Sequence, residues 1–333
     1  MMAGDLKKIL LINFGGIGDE ILFFPVISSL KKKFSSSEIT LALEPRSSCA
    51  VELNDDINNV LKIDVKGKNK YYELLKLYFE MLFGKFDIVI SSGANPLIPV
   101  LLFFSGIKTR IGFKSSKTSK LLTTDVELNK EQYASNMYHD LVSELTGEKC
   151  EKPSIRVEQK PKETNTVLVH PGVSKMSVLK GMQKTFTPEK WAQIVVELLN
   201  RGKKVYLAGG KDDIEVLNII REYLKDKDKT NFVDLASKGQ TLKEFAQKVS
   251  EVEVLLCSDS APMHIGVGVN TKTVAIFGAT DEKKLIPNEP NFIAVTNKNC
   301  DCRPCLWNKR QTTCQELKCL DICIETVLDL ISE

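Results

Sequence analysis

Lys8 to Phe14 is a mainly apolar run of strand length, closed by Gly15, Gly16 and Gly18 and followed by Ile21, Leu22, Val26, Leu30 and Phe34 at helical spacing. A short apolar run bounded by glycines suits a strand buried on both faces, so this opening predicts strand, tight turn, helix. Glu38 to Leu43, ending at Glu44-Pro45, and Lys85 to Ile90 read as further strands. Strands that alternate with helical patterns build a parallel sheet covered on both faces, so the first half predicts a doubly wound α/β domain. The apolar stretch from Asn95 to Ile107 is too short for a membrane span and holds Pro96 and Pro99, which predicts a buried helix.

Residues 149 to 166 are rich in Lys, Glu and Pro, lack periodicity and read as a linker. The pattern then restarts with a strand at Thr166–Val169. Thr187 is a suitable helix cap with Pro188 in the first turn; the apolar positions Trp191, Ile194, Val195, Leu198 and Leu199 follow, and Gly202 closes the helix. Lys204–Ala208, Val254–Cys257 and Thr273–Phe277 are further short strands. Two α/β domains are expected, residues 1–155 and 165–333, the second carrying a Cys-rich segment at 300–323.

A length of 333 residues with 43% hydrophobic and 27% charged residues fits two globular domains of ordinary size. No secretory signal pattern precedes the first strand, which predicts a cytoplasmic protein. Lys and Arg number 46 against 43 acidic residues, a balance that argues against nucleic acid as a partner. Charge is uneven locally, because Lys108, Arg110, Lys114, Lys117 and Lys120 run without an intervening acid. Such a run is either a solvated loop or a contact for an acidic acceptor or an anionic lipid headgroup.

Three segments carry chemistry. In Asn13-Phe14-Gly15-Gly16-Ile17-Gly18-Asp19 the glycines let the backbone approach a ligand, and the helix start offers N–H groups to negative charge. A dinucleotide fingerprint needs a third Gly where Ile21 stands, although Glu44 at the end of the next strand suits a ribose and keeps a nicotinamide reading open. Asp19 is either a helix cap or a general base that removes a proton from an attacking hydroxyl; a carboxylate is a weak base and must act in concert with attack. In the segment Val254 to His264, Asp259 or Ser260 suits a cap and Pro262 an early helical position, leaving N–H groups near Ser260 and Ala261 for a diphosphate; Asp259 would accept from sugar hydroxyls, and His264 is either a ligand contact or a core partner. His170-Pro171-Gly172-Val173-Ser174 opens a loop leading to Lys184, whose charge would neutralise a leaving diphosphate without a metal ion unless it is simply a surface Lys. Gly209-Gly210 with Asp213 and Glu215 offers carboxylates to a ribose.

Together these segments, in this order, resemble the ADP-heptose:lipopolysaccharide heptosyltransferase family, glycosyltransferase family nine, nearly end to end. The resemblance also rests on Phe86-Asp87-Ile88-Val89-Ile90, Ser105-Gly106, Arg110-Ile111-Gly112-Phe113 and Phe277-Gly278-Ala279-Thr280-Asp281. It implies a GT-B fold, two doubly wound Rossmann-like domains facing across a cleft whose closure excludes water, and an inverting, metal-independent transfer of heptose or a related sugar from an ADP-sugar. By it Asp19 is the catalytic base. Gly172, Ser174, Lys184, Glu215, Gln240, Thr241, Asp259, Ser260, Ala261 and His264 line the donor site, with Gln240 and Thr241 near the adenine. Gly15, Gly16, Gly18, Lys108, Arg110 and Lys114 lie on the acceptor side. The implied partners are an ADP-heptose-like donor and an anionic glycolipid, by default inner-core lipopolysaccharide, with peripheral contact at the inner membrane; a protein hydroxyl of an adhesin or autotransporter is the alternative. The chain departs from the family pattern at Ala261, where Gly is usual, in a longer loop from Lys175 to Gln183, and at Ser91-Ser92-Gly93, which lacks an Asp.

Six of the nine cysteines fall between Cys300 and Cys323. Cys302 and Cys305, with Cys314 and Cys319, suit a tetrahedral thiolate site for structural zinc or iron. The family carries similar cysteines, here Cys302, Cys305 and Cys319, mostly without a known metal; a metal here would be structural, and the resemblance implies chemistry that requires no cofactor. A scaffold with a decayed nucleotide site is the non-enzyme reading, favoured by Ala261 and the cysteines.

Overall fold

The computed structural model describes residues 7–306 and 314–332. The chain divides into two compact units, the first ending at Arg156 and the second beginning at Val157.

In the first unit β1 (Lys8–Ile12) leads into α1 (Ile17–Lys33), followed by β2 (Glu38–Leu43), β3 (Asn59–Lys62), α2 (Lys70–Phe83), β4 (Ile88–Ser91), α3 (Leu97–Phe104), β5 (Thr109–Phe113), β6 (Thr124–Val126) and α4 (Ala134–Thr146). Among the described residues its six strands are all parallel and lie in the order β3-β2-β1-β4-β5-β6. The second unit runs β7 (Glu163–His170), α5 (Lys175–Leu179), α6 (Pro188–Asn200), β8 (Lys204–Leu207), α7 (Ile214–Tyr223), β9 (Phe232–Asp234), α8 (Leu242–Glu251), β10 (Val252–Ser258), α9 (Ala261–Gly268), β11 (Lys272–Phe277), α10 (Glu282–Leu285), β12 (Phe292–Thr296) and α11 (Ile324–Ser332). Its sheet order is β12-β11-β10-β7-β8-β9, again all parallel. Counted from each unit's own first strand, both sheets read 3-2-1-4-5-6. In that topology the chain reverses direction between strands one and four, and a crevice opens beyond their C-terminal ends. The switch points are therefore β1/β4 in the first unit and β7/β10 in the second.

The apolar runs form strands because both faces are covered. Leu10, Ile12, Val89, Leu77, Met81, Ile98 and Leu102 pack into one core of the first unit, while Val167, Val169, Val205, Leu256 and Val274 with Trp191 anchor that of the second. Thr187 caps α6 by accepting from the Lys190 N–H at 3.3 Å. Gly202, at φ +74°, lets the chain turn back so that Lys203 N–H reaches the Leu198 carbonyl.

Two expectations are corrected. The stretch from Lys175 to Gln183 is not all loop, because Lys175–Leu179 winds into a short helix after Ser174. Residues 97–104 are a helix but not a buried one. Ile98 and Leu102 enter the core, while Leu97, Phe103 and Phe104 are 53%, 45% and 63% exposed. The run is apolar on every side, and the sheet covers only one.

Candidate functional site

At the first switch point, β1 delivers Asn13 and the glycine turn, and β4 delivers Ser92 just beyond its end. The N-cap of α1 is Gly16, so Asp19 stands at the third helical position and reaches back, its Oδ2 accepting the Gly16 N–H at 2.7 Å. Glycine is required at 15 because a Cβ there would lie 2.2 Å from Asp19 Cβ. The other carboxylate oxygen meets Tyr138 Oη at 3.4 Å. Helix α4 brings that tyrosine in: its Ser135 hydroxyl donates to the Leu22 carbonyl, and Tyr138 packs edge-on against Phe23. Asp19 is half-buried.

Sequence reasoning missed the layer beneath it. Glu20 is 1% exposed and accepts from Asn13 Nδ2 at 3.0 Å, and Asn13 Oδ1 accepts from Ser92 Oγ. Burial drives the Glu20 carboxyl up to about 8, the Asn13 hydrogen bond opposing and the neighbouring Asp19 adding to the rise. It is thus mostly protonated at neutral pH, which spares the turn two adjacent carboxylate charges. Helical spacing to the buried Phe23, Phe24 and Ile27 marks position 20 as inward-facing, but nothing in the sequence signals Tyr138.

The basic run is less available than its charge count suggests. Arg110 directs its guanidinium to the carbonyls of Leu121, Ile107 and Lys108, and Lys114 pairs with Glu127 at 2.5 Å. Lys108, Lys117 and Lys120 remain exposed.

At the second switch point the predicted donor residues converge. Lys184 Nζ lies 2.9 Å from Asp259 Oδ2, which also accepts from Thr280 Oγ1 at 2.7 Å. Burial alone would raise the Asp259 carboxyl, but Lys184 and Thr280 outweigh it and hold Asp259 below the usual carboxylate range. Thr185 ties the elements together: it donates to the Pro171 carbonyl at 2.8 Å and hydrogen-bonds Ser258 Oγ and Trp191 Nε1. Ser260, the N-cap of α9, does not cap with its side chain. Its hydroxyl donates to the Gly172 and Ser258 carbonyls, which leaves the first N–H groups of α9 without a side-chain acceptor. His264 is buried in the first turn of that helix. A helix N-terminus beside a lysine is a site for an anion.

Around this centre the candidates separate. Asp213, a sequence candidate for ribose, is 7% exposed and directed inward: Oδ2 accepts the Gly210 N–H at 2.8 Å and lies 3.8 Å from His170 Nε2. Burial pushes the His170 imidazole below its ordinary range, against the pull of Asp213. Gly172 has to be glycine, since a Cβ there would fall 1.8 Å from Asp213 Oδ1. Glu215 is exposed on the first turn of α7, and Ser174 is exposed at the start of α5. Thr241 caps α8, its hydroxyl accepting the Glu244 N–H at 3.2 Å, and Gln240 beside it is exposed. The Thr280 loop is held from behind by Arg303, whose guanidinium donates to the Gly278 and Thr280 carbonyls and to Glu282.

Of the cysteines, Cys300 and Cys302 place their sulfurs 3.3 Å apart, and Cys319 lies against the position where a Gly278 side chain would be. Among the described residues no three His, Cys, Asp or Glu side chains are grouped to hold a metal ion. Also among them, no helix is long and apolar enough to cross a membrane.

Comparison with known proteins gives a consistent result. The model of glycosyltransferase family 9 (heptosyltransferase) matches residues 75–317. The lipooligosaccharide heptosyltransferase 2 of Campylobacter jejuni is 22% identical over 95% of this chain and 96% of its own length. The lipopolysaccharide heptosyltransferase 3 of Escherichia coli is 27% identical over 83% of this chain and 85% of its own. Among solved structures, ADP-heptose lipopolysaccharide heptosyltransferase II of Escherichia coli superposes with a TM-score of 0.76, covering 98% of this chain and 97% of that one at 17% identity, which establishes the shared fold.

Proposed function

The chain belongs to glycosyltransferase family 9 and is a glycosyltransferase of GT-B fold; from that premise we propose that it transfers heptose from ADP-heptose to a hydroxyl of the lipopolysaccharide inner core, on the cytoplasmic side of the membrane. The observation that carries the donor assignment is the half-buried Lys184, paired with Asp259 beside the side-chain-uncapped start of α9. A diphosphate laid there meets a cation and the Ala261 N–H at the helix start together, and charge that develops on the leaving ADP is stabilised without a metal ion. Gly172, Ser260 and His264 line the same place, while Glu215, Gln240 and Thr241 are the exposed groups left for ribose and adenine.

The step is a single displacement. The acceptor oxygen bonds to the anomeric carbon as the bond from that carbon to the diphosphate oxygen breaks, ADP leaves, and Asp19 takes the acceptor proton. One displacement inverts the anomeric centre. Relatives named for lipooligosaccharide and lipopolysaccharide heptose transfer support the acceptor class.

The test incubates the purified chain with ADP-heptose and heptose-deficient core lipopolysaccharide, reading ADP release and a mass gain of one heptose. Equal turnover with a UDP-sugar, or transfer to a protein hydroxyl in preference to the core, would overturn the assignment. Assays run with and without a chelator are expected to agree, which checks the cofactor-free chemistry.

A further inference from the structure

The large exposed apolar side chains of this protein concentrate on one surface. Tyr71, Tyr72, Leu75, Phe79, Leu82 and Phe83 of α2 are 41–73% exposed, and Leu97, Phe103 and Phe104 of α3 are 45–63% exposed. Scattered exposed apolar residues need no explanation, but a contiguous patch marks a docking surface. Contiguity follows from three contacts. Phe79 stacks on Phe83 at 6.1 Å, Tyr78 beside them donates its hydroxyl to the Phe104 carbonyl at 3.3 Å, and Phe103 and Phe104 meet edge to face at 5.4 Å.

Helix α2 is apolar on two sides. At roughly 100° per residue Leu77 and Met81 point into the core, and Tyr72, Lys76, Phe79 and Phe83 share a narrow arc on the opposite side. Cations surround the patch. Lys70 lies over the Tyr71 ring at 5.0 Å, Arg110 over Phe103 at 5.6 Å, and the exposed Lys85 and Lys108 lie in the turns that follow α2 and α3. The Lys117–Leu121 turn is fastened to the start of α3 by Thr118, which donates to the Pro96 carbonyl at 2.8 Å, so the exposed Lys117 and Lys120 flank that helix. Glu73 and Glu80 lie on the flank of α2, off the apolar arc.

We propose that the α2–α3 face docks on a bilayer surface carrying anionic headgroups, its aromatic side chains entering the headgroup–acyl boundary and its lysines meeting the lipid charge. Aromatic rings beside lysines match that boundary, with apolar and charged groups needed at one depth. A second copy is a poorer occupant. In a symmetric dimer the same patch faces itself, which would set its rim of lysines against a second rim of the same sign. The inference rests on the surface alone and does not depend on the donor or acceptor proposed above.

The test measures co-sedimentation of the full chain with vesicles of phosphatidylethanolamine and phosphatidylglycerol, and with vesicles of phosphatidylcholine alone. Binding is expected to the anionic vesicles and to weaken with added salt. A lysine near an anionic surface contributes roughly a fivefold factor, so Lys117→Gln with Lys120→Gln is expected to weaken binding by on the order of tenfold or more. Phe83→Ser with Phe104→Ser is expected to abolish it. Sugar transfer to a water-soluble core oligosaccharide stays unchanged in the Phe83→Ser, Phe104→Ser variant. Phe83→Trp, which keeps the aromatic surface, is expected to bind like the parent and to gain blue-shifted fluorescence only with anionic vesicles, a readout that a folding defect in the serine variant cannot mimic. Absence of anionic-vesicle binding by the parent chain overturns the proposal, as does a Phe83→Trp signal indifferent to lipid charge. So does self-association in sedimentation velocity that Phe83→Ser removes. Loss of transfer activity with vesicle binding intact would count against the catalytic reading alone.

Discussion

Asp19 and Asp213 occupy the same local device and do opposite things with it. Each follows a strand and a Gly-Gly pair, each closes back on the second glycine's N–H, at 2.7 and 2.8 Å, and each crowds a glycine whose Cβ would overlap it. What differs is the other oxygen. Asp213 is 7% exposed, hemmed in by Gly172 and His170, whereas Asp19 is half-buried and its second oxygen takes a long contact from Tyr138. The motif builds a backbone clamp in both units, and under the proposed mechanism burial decides which clamp has an oxygen left for the acceptor hydroxyl.

Charge removal at the two positions should therefore part company. Asp19→Asn keeps an oxygen for the Gly16 N–H but is no longer a base, so kcat is expected to fall by about 10²–10⁴ with the melting temperature nearly unmoved. Asp213→Asn keeps the equivalent bond to Gly210 and is expected to leave kcat within about tenfold of the parent, since it touches no reacting atom. Steady-state rates and thermal melts on the pair check this. Equal losses of kcat would erase the distinction between the two clamps.

The glycines sharpen it next. Gly172→Ala forces a Cβ against a carboxylate that cannot withdraw, and overpacking of a closed site costs about 1–3 kcal/mol or more. A lowered unfolding midpoint is expected together with weaker ADP binding, because the same loop carries the carbonyl that holds Ser260. Gly15→Ala meets Asp19 at its Cβ, close to the helix backbone, so the clamp to Gly16 must open and activity should suffer more than stability. Urea unfolding and ADP titration of both variants distinguish the two patterns.

Much of this frame was legible in the chain. Glu38–Leu43 is a strand with the bounds its apolar run suggests, and Thr187 with Pro188 starts a helix as their chemistry requires, since both signals are local. The resemblance to family nine stands on the matched family model. What stayed hidden depends on distant neighbours. Residues 97–104 looked buried because an apolar run says nothing of what covers it, and Asp19 looked like a cap because only the extended conformation of Gly16 shows that the cap lies three residues earlier. Lys184 and Asp259 are 75 residues apart, and no local pattern pairs them.

The subtlest difference between the two clamps lies beneath them. Asp19 has a buried acid as its neighbour, and Glu20 holds its proton up to about 8, against 4.5 for a free side chain. A carboxyl raised on folding binds an extra proton in the native state between those values. Its contribution to stability is complete below about 4.5 and is lost as pH rises toward 8. Glu20→Gln keeps an acceptor for Asn13 and carries no titrating group. The variant is expected to match the parent near pH 4.5 and to exceed it progressively above, reaching on the order of 4 kcal/mol at pH 8. Urea denaturation of both proteins from pH 5 to 9 measures the gap. Parallel curves would mean that Glu20 ionises normally beside Asp19, and the turn would then bear two adjacent negative charges while its helix start still attracts the acceptor's developing one.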